Sequence, residues 1–305
     1  MPSKTRIGQD FPLGVVIVDY KNTINTIKYI QNEVSKISTP HKIVIVNNEA
    51  DKESNDLFCR YLGACIVDAN FRETDKFNDI FIIPSIENLG FAKGNNLGAD
   101  FLIHNFKCKF LLFSNNDIII KDKSAVEKLI EKIKSDESIG LIGPEVIGLD
   151  GKRQSPEPYI PMVNRYVWMY ILTPFITRKQ KIKRFNLDYS TFAAEGYHYR
   201  VMGSFFIMPS QVFLEIGKMD PKTFLYAEEM ILSERLKTID KKVYFFPRTT
   251  VIHAHGTTTK KYLGKKYISK IQSTSEKYYY TQYCGVKKWK AKLYIAIYNL
   301  ILKLK

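Results

Sequence analysis

The chain has 305 residues, 45% hydrophobic and 25% charged, which are globular values that exclude a disordered or fibrous chain and leave room for one large core. Its formal net charge of +15 sits mostly at the carboxyl end, where residues 257–305 hold twelve lysines against the single acid Glu276. Four cysteines, Cys59, Cys65, Cys108 and Cys284, form neither a CxxC pair nor a disulfide ladder, so reduced thiols in a cytoplasm are expected.

Met1 to Pro12 is polar and offers no hydrophobic leader, so neither a signal peptide nor an amino-terminal anchor is expected, and no apolar run has the length of a membrane span. Leu13 to Val18 is a continuous apolar run that reads as a strand buried on both faces and ends at Asp19-Tyr20. Asn22 is placed to cap a helix whose Ile24, Ile27, Ile30, Val34 and Ile37 share a face, and Pro40 closes it. A second buried strand, Ile43 to Val46, ends at Asn47-Asn48; weaker strands are expected near Cys65 to Val67 and Ile80 to Ile83. Gly94 to Phe106 reads as a helix entered through a glycine turn, and Phe110 to Phe113 as a strand delivering Asp117. Pro156, Pro158, Pro161 and Pro174 then punctuate a less regular stretch containing the apolar Tyr166 to Ile176. Order returns with a strand at Phe205 to Met208, helices from Pro209 and over Glu228 to Thr238, and a strand at Val243 to Phe246. This alternation predicts an α/β fold with a doubly wound, mainly parallel sheet, in which ligands sit beyond the carboxyl ends of the strands.

Four polar interruptions fall beside these elements: Asn88-Leu89-Gly90-Phe91-Ala92-Lys93-Gly94-Asn95-Asn96, Ser114-Asn115-Asn116-Asp117, Phe224-Leu225-Tyr226-Ala227-Glu228-Glu229 and His253-Ala254-His255. With Val15 to Val18, Gly203-Ser204 and Val251-Ile252-His253 they resemble, in this order, the bacterial family 2 glycosyltransferases, and most nearly their rhamnosyltransferase-like branch, over residues 13 to 256. The resemblance implies a GT-A (Rossmann-like) catalytic domain over residues 1–256, a nucleotide diphosphate sugar donor and inversion at the anomeric carbon.

Asp117, just past a buried strand, has the chemistry to hold Mg²⁺ or Mn²⁺ against a diphosphate; a turn acid capping the next helix is the plainer alternative. Asn115 and Asn116 leave one charge where many relatives carry two acids. His253 is a candidate nitrogen ligand to the same metal, with His255 two residues on. Glu228-Glu229 opens a helix, where acids also complement the helix dipole. The resemblance makes Glu229 the general base and leaves Glu228 to bind or orient the acceptor. Asp19, Tyr20 and Asn47 follow buried strands and are expected at the nucleobase and ribose. Asn88, Phe91, Lys93 and Asn95 form the loop over the donor, with Lys93 offsetting diphosphate charge. Gly203 and Ser204 would let a sugar approach the backbone closely, or mark a bulge at a strand start.

Residues 257–305 form a basic, tyrosine-rich extension, and Lys287-Lys288-Trp289-Lys290 leads into Leu293, Ile297, Leu300, Ile301 and Leu304, a helical apolar stripe. The expected partners are a dTDP or UDP sugar, a lipid-linked cell-envelope glycan acceptor, and an anionic membrane surface met through residues 286–305 at the inner face of the cytoplasmic membrane. Two rivals follow from the same residues: a nucleic-acid-binding protein acting through the lysine and tyrosine tail, and a catalytically idle scaffold. Confinement of the basic excess to the tail leaves the interior acids without a role in the first, and no nucleic acid is expected.

Overall fold

The computed structural model describes residues 12–67, 78–172, 177, 180, 194–254 and 264–303. Ten strands form one sheet: β1 (Leu13–Tyr20), β2 (His41–Asn48), β3 (Cys65–Ile66), β4 (Ile80–Ser85), β5 (Phe110–Ser114), β6 (Ile118–Ile120), β7 (Ile139–Gly148), β8 (Gly196–His198), β9 (Phe205–Pro209) and β10 (Lys242–His253). Their order is β3-β4-β2-β1-β5-β9-β7-β10-β6, with β8 beside the other half of β10. The block β3-β4-β2-β1-β5 is parallel, as is β7 with β10, whereas β9, β6 and β8 run antiparallel to their neighbours. Short β9, lying between β5 and β7, joins a parallel half-sheet to a mixed one.

The helices are α1 (Thr23–Asn32), α2 (Lys52–Leu62), α3 (Gly90–Phe106), α4 (Ala125–Ser135), α5 (Met169–Leu172), α6 (Ser210–Glu215), α7 (Glu228–Lys237), α8 (Lys265–Gln282) and α9 (Lys288–Lys303). Alternation along the strands decides which helix covers which face. Leu13, Val15, Ile17, Ile43 and Ile45 pack with Ile27 and Ile30 of α1, Phe58 of α2 and Leu129 and Ile133 of α4. Val16, Val44, Phe81, Leu111 and Phe113 point the other way, into Ala99, Phe101 and Leu102 of α3 and Phe213 of α6. Phe113 lies 5.0 Å from Phe206 and 5.1 Å from Phe213, ring centre to ring centre.

Several expectations need revision. The first helix ends at Asn32, and Val34–Lys36 is a separate 3-10 turn. Ile24 is exposed, and Asn22 makes no capping bond because its Oδ1 accepts from Asn25 instead. The third helix begins at Gly90, one turn before Gly94. Helix α2 and strand β7 were not expected. The former is opened by an Asp51/Ser54 capping box and closed by Gly63 at φ +62°, a position that favours glycine.

The carboxyl extension forms two helices. Glu276 of α8 is buried and accepts from Arg165 Nε and Nη2, Tyr166 Oη and Gln272 Nε2; burial raises its pKa, but these partners outweigh it and hold the carboxyl below its ordinary range. Tyr278 and Tyr283 both donate to Asp220, and Tyr280 donates to the Ile160 carbonyl. These tail tyrosines tie α8 to the body of the protein through their hydroxyls, and Tyr280 is buried. Among the described residues no helix is long and apolar enough to cross a membrane.

Candidate active site

The carboxyl ends of β1, β2 and β5, the entry to α3, the turn before β9 and the start of α7 enclose a cavity of about 390 Å³. Of the sequence-derived candidates, it is lined by Tyr20, Asn88, Phe91, Asn95, Asn115, Asn116, Asp117, Gly203, Ser204, Glu228, Glu229 and His253. Asp19, Asn47 and Lys93 do not line it.

Strand parity explains two of these absences. Asn47 is buried on the α2 side of the sheet, where its Nδ2 donates to Ser54 Oγ and Asn55 Oδ1 at 2.9 and 3.0 Å. Its neighbour Asn48, on the opposite face, lines the cavity, accepts from the Leu89 amide and donates to Asn88 Oδ1. Asn48 is thus a lining residue that the sequence reading passed over, and counting alternation from Val44 and Val46 would have found it; Asn22, read as a helix cap, is another. Asp19 lies below the floor, accepting from Thr26 Oγ1 at 2.5 Å and Asn116 Nδ2 at 3.1 Å. Burial pushes its carboxyl above the ordinary range, against hydrogen bonds from Thr26, Thr23 and Asn116. It therefore orients Asn116 rather than facing a ligand. Lys93 is exposed on the outer side of α3.

The donor loop is built by a side-chain turn. Asn88 Oδ1 accepts from the Gly90 amide at 3.0 Å, which bends the chain into α3. Gly90 has φ +73°, and a Cβ there would lie 2.3 Å from the Phe224 carbonyl oxygen, so only glycine fits. That same carbonyl accepts from the Phe91 amide at 2.8 Å, tying the donor loop to the segment that leads into Glu228-Glu229.

Asp117 occupies the turn between β5 and β6, and the antiparallel pairing of His253 with Ile118 brings the imidazole to it. Nε2 of His253 lies 3.3 Å from Asp117 Oδ1, while Nδ1 is 2.9 Å from Gln154 Oε1. In the tautomer whose Nδ1 donates to Gln154, Nε2 faces the Asp117 carboxylate oxygen as an acceptor, and a cation held between the two would complete the arrangement. Asp117 is not the cap of α4, whose preceding turn is shaped by Asp122. Among the described residues no group of three or more His, Cys, Asp or Glu side chains forms a metal cluster. Two protein ligands nonetheless suit Mg²⁺ or Mn²⁺, which are commonly held by one or two side chains with phosphate oxygens and water completing the shell. His255 lies outside the described residues.

At the far side of the cavity Glu228 and Glu229 form the first turn of α7, entered through Tyr226 and Ala227 at φ +72° and +74°. Glu229 Oε1 accepts from the Gly203 amide at 3.0 Å, and a Cβ on Gly203 would lie 2.2 Å from that oxygen. The close approach anticipated at Gly203 is therefore made by a carboxylate of the chain itself. Glu229 Oε2 sits 3.7 Å from Arg200 Nη1, whose Nη2 pairs with Glu157. Burial opposes the charge on Arg200, but Glu157 and Glu229 outweigh it and hold the guanidinium more firmly protonated. Glu228 is buried, its Oε1 has no hydrogen-bond partner, and burial together with the Glu229 charge pushes its carboxyl up to about 8. Of these adjacent acids, Glu229 is held beside a guanidinium and the backbone amide of Gly203, whereas burial favours the protonated form of Glu228.

No protein-family model matches the chain. A low-salt glycan biosynthesis hexosyltransferase, Agl10 of Haloferax volcanii, is 23% identical over 213 residues, covering 68% of this chain and 63% of its own length. The chain thus spans less than two thirds of that relative. A mannosyltransferase from Pyrobaculum calidifontis, solved with GDP-Man and Mn²⁺, superposes with a TM-score of 0.58 at 8% identity, covering 96% of this chain and 74% of that one. GalNAc-T7, solved with UDP, GalNAc and Mn²⁺, superposes with a TM-score of 0.51 at 15% identity, covering 82% and 45%. The fold is GT-A, as expected from the motif order.

Proposed function

We propose that the chain is an inverting glycosyltransferase that moves a sugar from a nucleotide diphosphate onto a hydroxyl of a glycan acceptor. The observation that carries this reading is the placement of an Asp117/His253 pair and a Glu228/Glu229 pair in one cavity whose remaining polar wall is mostly amide side chains. The Haloferax relative is named for hexosyl transfer, and both solved neighbours hold a nucleotide or nucleotide sugar with Mn²⁺, which supports a donor of that class. The motif resemblance to family 2 supports rhamnose, carried by dTDP, as the transferred sugar and a lipid-linked cell-envelope glycan as the acceptor.

In this reading Tyr20, Asn48, Asn88 and Asn95 receive the nucleoside end, and Asn115, Asn116 and Asp117 lie toward the diphosphate. Asp117 and His253 would hold a divalent cation, which supplies charge neutralisation at the leaving diphosphate. The acceptor oxygen bonds to the anomeric carbon as the bond from that carbon to the phosphate oxygen breaks, and Glu229 takes the acceptor proton. Gly203 and Arg200 fix the carboxylate for that transfer. Protonated Glu228 donates a hydrogen bond to the acceptor. A single displacement of this kind inverts the anomeric centre and needs no covalent intermediate.

Thermal-shift and calorimetric titration with dTDP, UDP, GDP and their sugar conjugates, with and without Mn²⁺, tests the reading. Metal-enhanced binding of one nucleotide, abolished in Asp117→Ala, is the expected outcome. Absence of binding to every nucleotide would overturn it.

A further inference from the structure

Helix α9 is apolar on two opposite faces, and only one of them is covered. Ala291 is fully buried, and Tyr294, Ile295 and Tyr298 pack beside it against the cluster formed by Met162, Tyr166 and Val167. The Tyr298 ring lies 5.4 Å from Tyr166 and 4.8 Å from Tyr170. On the other side Trp289, Leu293 and Leu300 are 60%, 47% and 58% exposed, recurring at a spacing that draws one line along the helix. Of the stripe Leu293, Ile297, Leu300, Ile301 and Leu304 expected from the sequence, Ile297 and Ile301 are partly covered, Leu304 lies outside the described residues, and Trp289 joins Leu293 and Leu300 on the exposed line.

Charge surrounds the exposed line. Lys287, Lys288, Lys290 and Lys292 are all exposed, and residues 283–305 contain no acid. Lys290 Nζ stands 5.6 Å from the Trp289 ring centre. The segment beneath α9 exposes two more apolar side chains, Trp168 and Ile171, so both tryptophans of the chain are solvent-facing in this one subassembly.

We propose that this surface docks on an anionic lipid bilayer, with α9 lying in the headgroup plane. A wide apolar line edged by lysines and tipped by tryptophan is the pattern of an interfacial helix, and its 16 residues lie on a membrane rather than span it. A second copy fits less well, since a two-fold contact would set the lysines of both copies face to face. Single-stranded nucleic acid also fits less well: of the exposed line only Trp289 offers a ring to stack on, Leu293 and Leu300 do not, and Tyr279 and Tyr280 are buried.

The test is co-sedimentation of the full chain with vesicles of phosphatidylcholine alone or mixed with phosphatidylglycerol, read alongside tryptophan emission. The expected result is partition onto the anionic vesicles with a blue shift, and little onto the neutral ones. The triple substitution Trp289→Ser, Leu293→Ser, Leu300→Ser should lower partition at least about tenfold, and each of Lys288→Gln and Lys292→Gln about fivefold. The affected side chains are exposed, so unchanged thermal midpoints will show that the body remains folded. Equal binding to both vesicle types, or binding indifferent to these substitutions, overturns the proposal. So does a concentration-dependent dimer abolished by the triple substitution, or tight oligonucleotide binding with none to vesicles. Nucleotide affinity is independent of this outcome, so failure here leaves the donor-site reading standing.

Discussion

Around β1, β2 and the entry to α3 the cavity wall is made of amides, with Asn22, Asn48, Asn88, Asn95, Asn115 and Asn116 all facing it; at the start of α7 it is made of carboxylates. Asn22, Asn48, Asn88 and Asn95 are tied to backbone or to another amide, and Asn116 to Asn22, Thr26 and Asp19, so their orientation exists before any ligand arrives. The carboxylates depend on partners from far away in sequence: Glu229 on Gly203 and Arg200, Glu228 on exclusion of water. One end is therefore preorganised by neutral hydrogen bonds, and the other stores charge whose state depends on pH.

The largest expected effect attacks the charged end. Glu229→Gln should lower transfer by about 10²–10⁴-fold with nucleotide affinity nearly unchanged, as expected for loss of a general base. Gly203→Ala should approach that loss without touching the carboxylate chemically, because the new methyl would lie 2.2 Å from Oε1 and displace it. Retention of full activity in Gly203→Ala would mean that the observed Glu229 posture is not the reactive one.

Next comes pH. The Glu228 carboxyl, raised from 4.5 to about 8, keeps its proton in the folded protein while the unfolded chain loses it, so stability falls as pH rises through that window. The difference is on the order of 5 kcal/mol at full ionisation, from about 1.36 kcal/mol per pKa unit. Glu228→Gln should flatten this slope in denaturation series between pH 5 and pH 8, as roughly bracketed by those two values. A slope that survives the substitution would place the titrating group elsewhere.

The amide end should break more gently. Asn48→Ala is expected to weaken nucleotide binding about tenfold, whereas Asn47→Ala should cost about 1 kcal/mol of stability and leave affinity alone. Equal effects on affinity would erase the difference between the two faces of β2. Smallest is Ser275→Ala, which removes the 2.8 Å bond from α8 to the Leu225 carbonyl and should lower stability by about 0.5–1.5 kcal/mol. A larger loss of turnover than of stability would show that α8 positions the acid segment.

Legibility in the sequence followed the range of the interactions involved. Strands β1, β2 and β5 were readable because burial on both faces requires unbroken apolar runs, and the Asn88 turn because its hydrogen bonds close within two residues. Strand β7 went unread since Gly140, Gly143 and Pro144 interrupt its apolar run, although it is buried along almost its whole length. The tail was read as a basic surface. Its charge does lie outside, but Glu276, Tyr279 and Tyr280 carry α8 into the body through pairings more than 75 residues apart, which no local pattern encodes.

By itself the sequence determined the α/β alternation and the polar turns that carry the candidate acids, because periodicity and turn chemistry act over a few residues; that those turns are ordered as in a GT-A enzyme rests on their resemblance to a known family. Only the tertiary structure decided that Asn48 rather than Asn47 meets the cavity, that Asp19 supports Asn116 from below, and that Gly203 is kept bare for a carboxylate. Each of those outcomes depends on which atoms of distant segments occupy the same few ångströms, and on how much water remains between them.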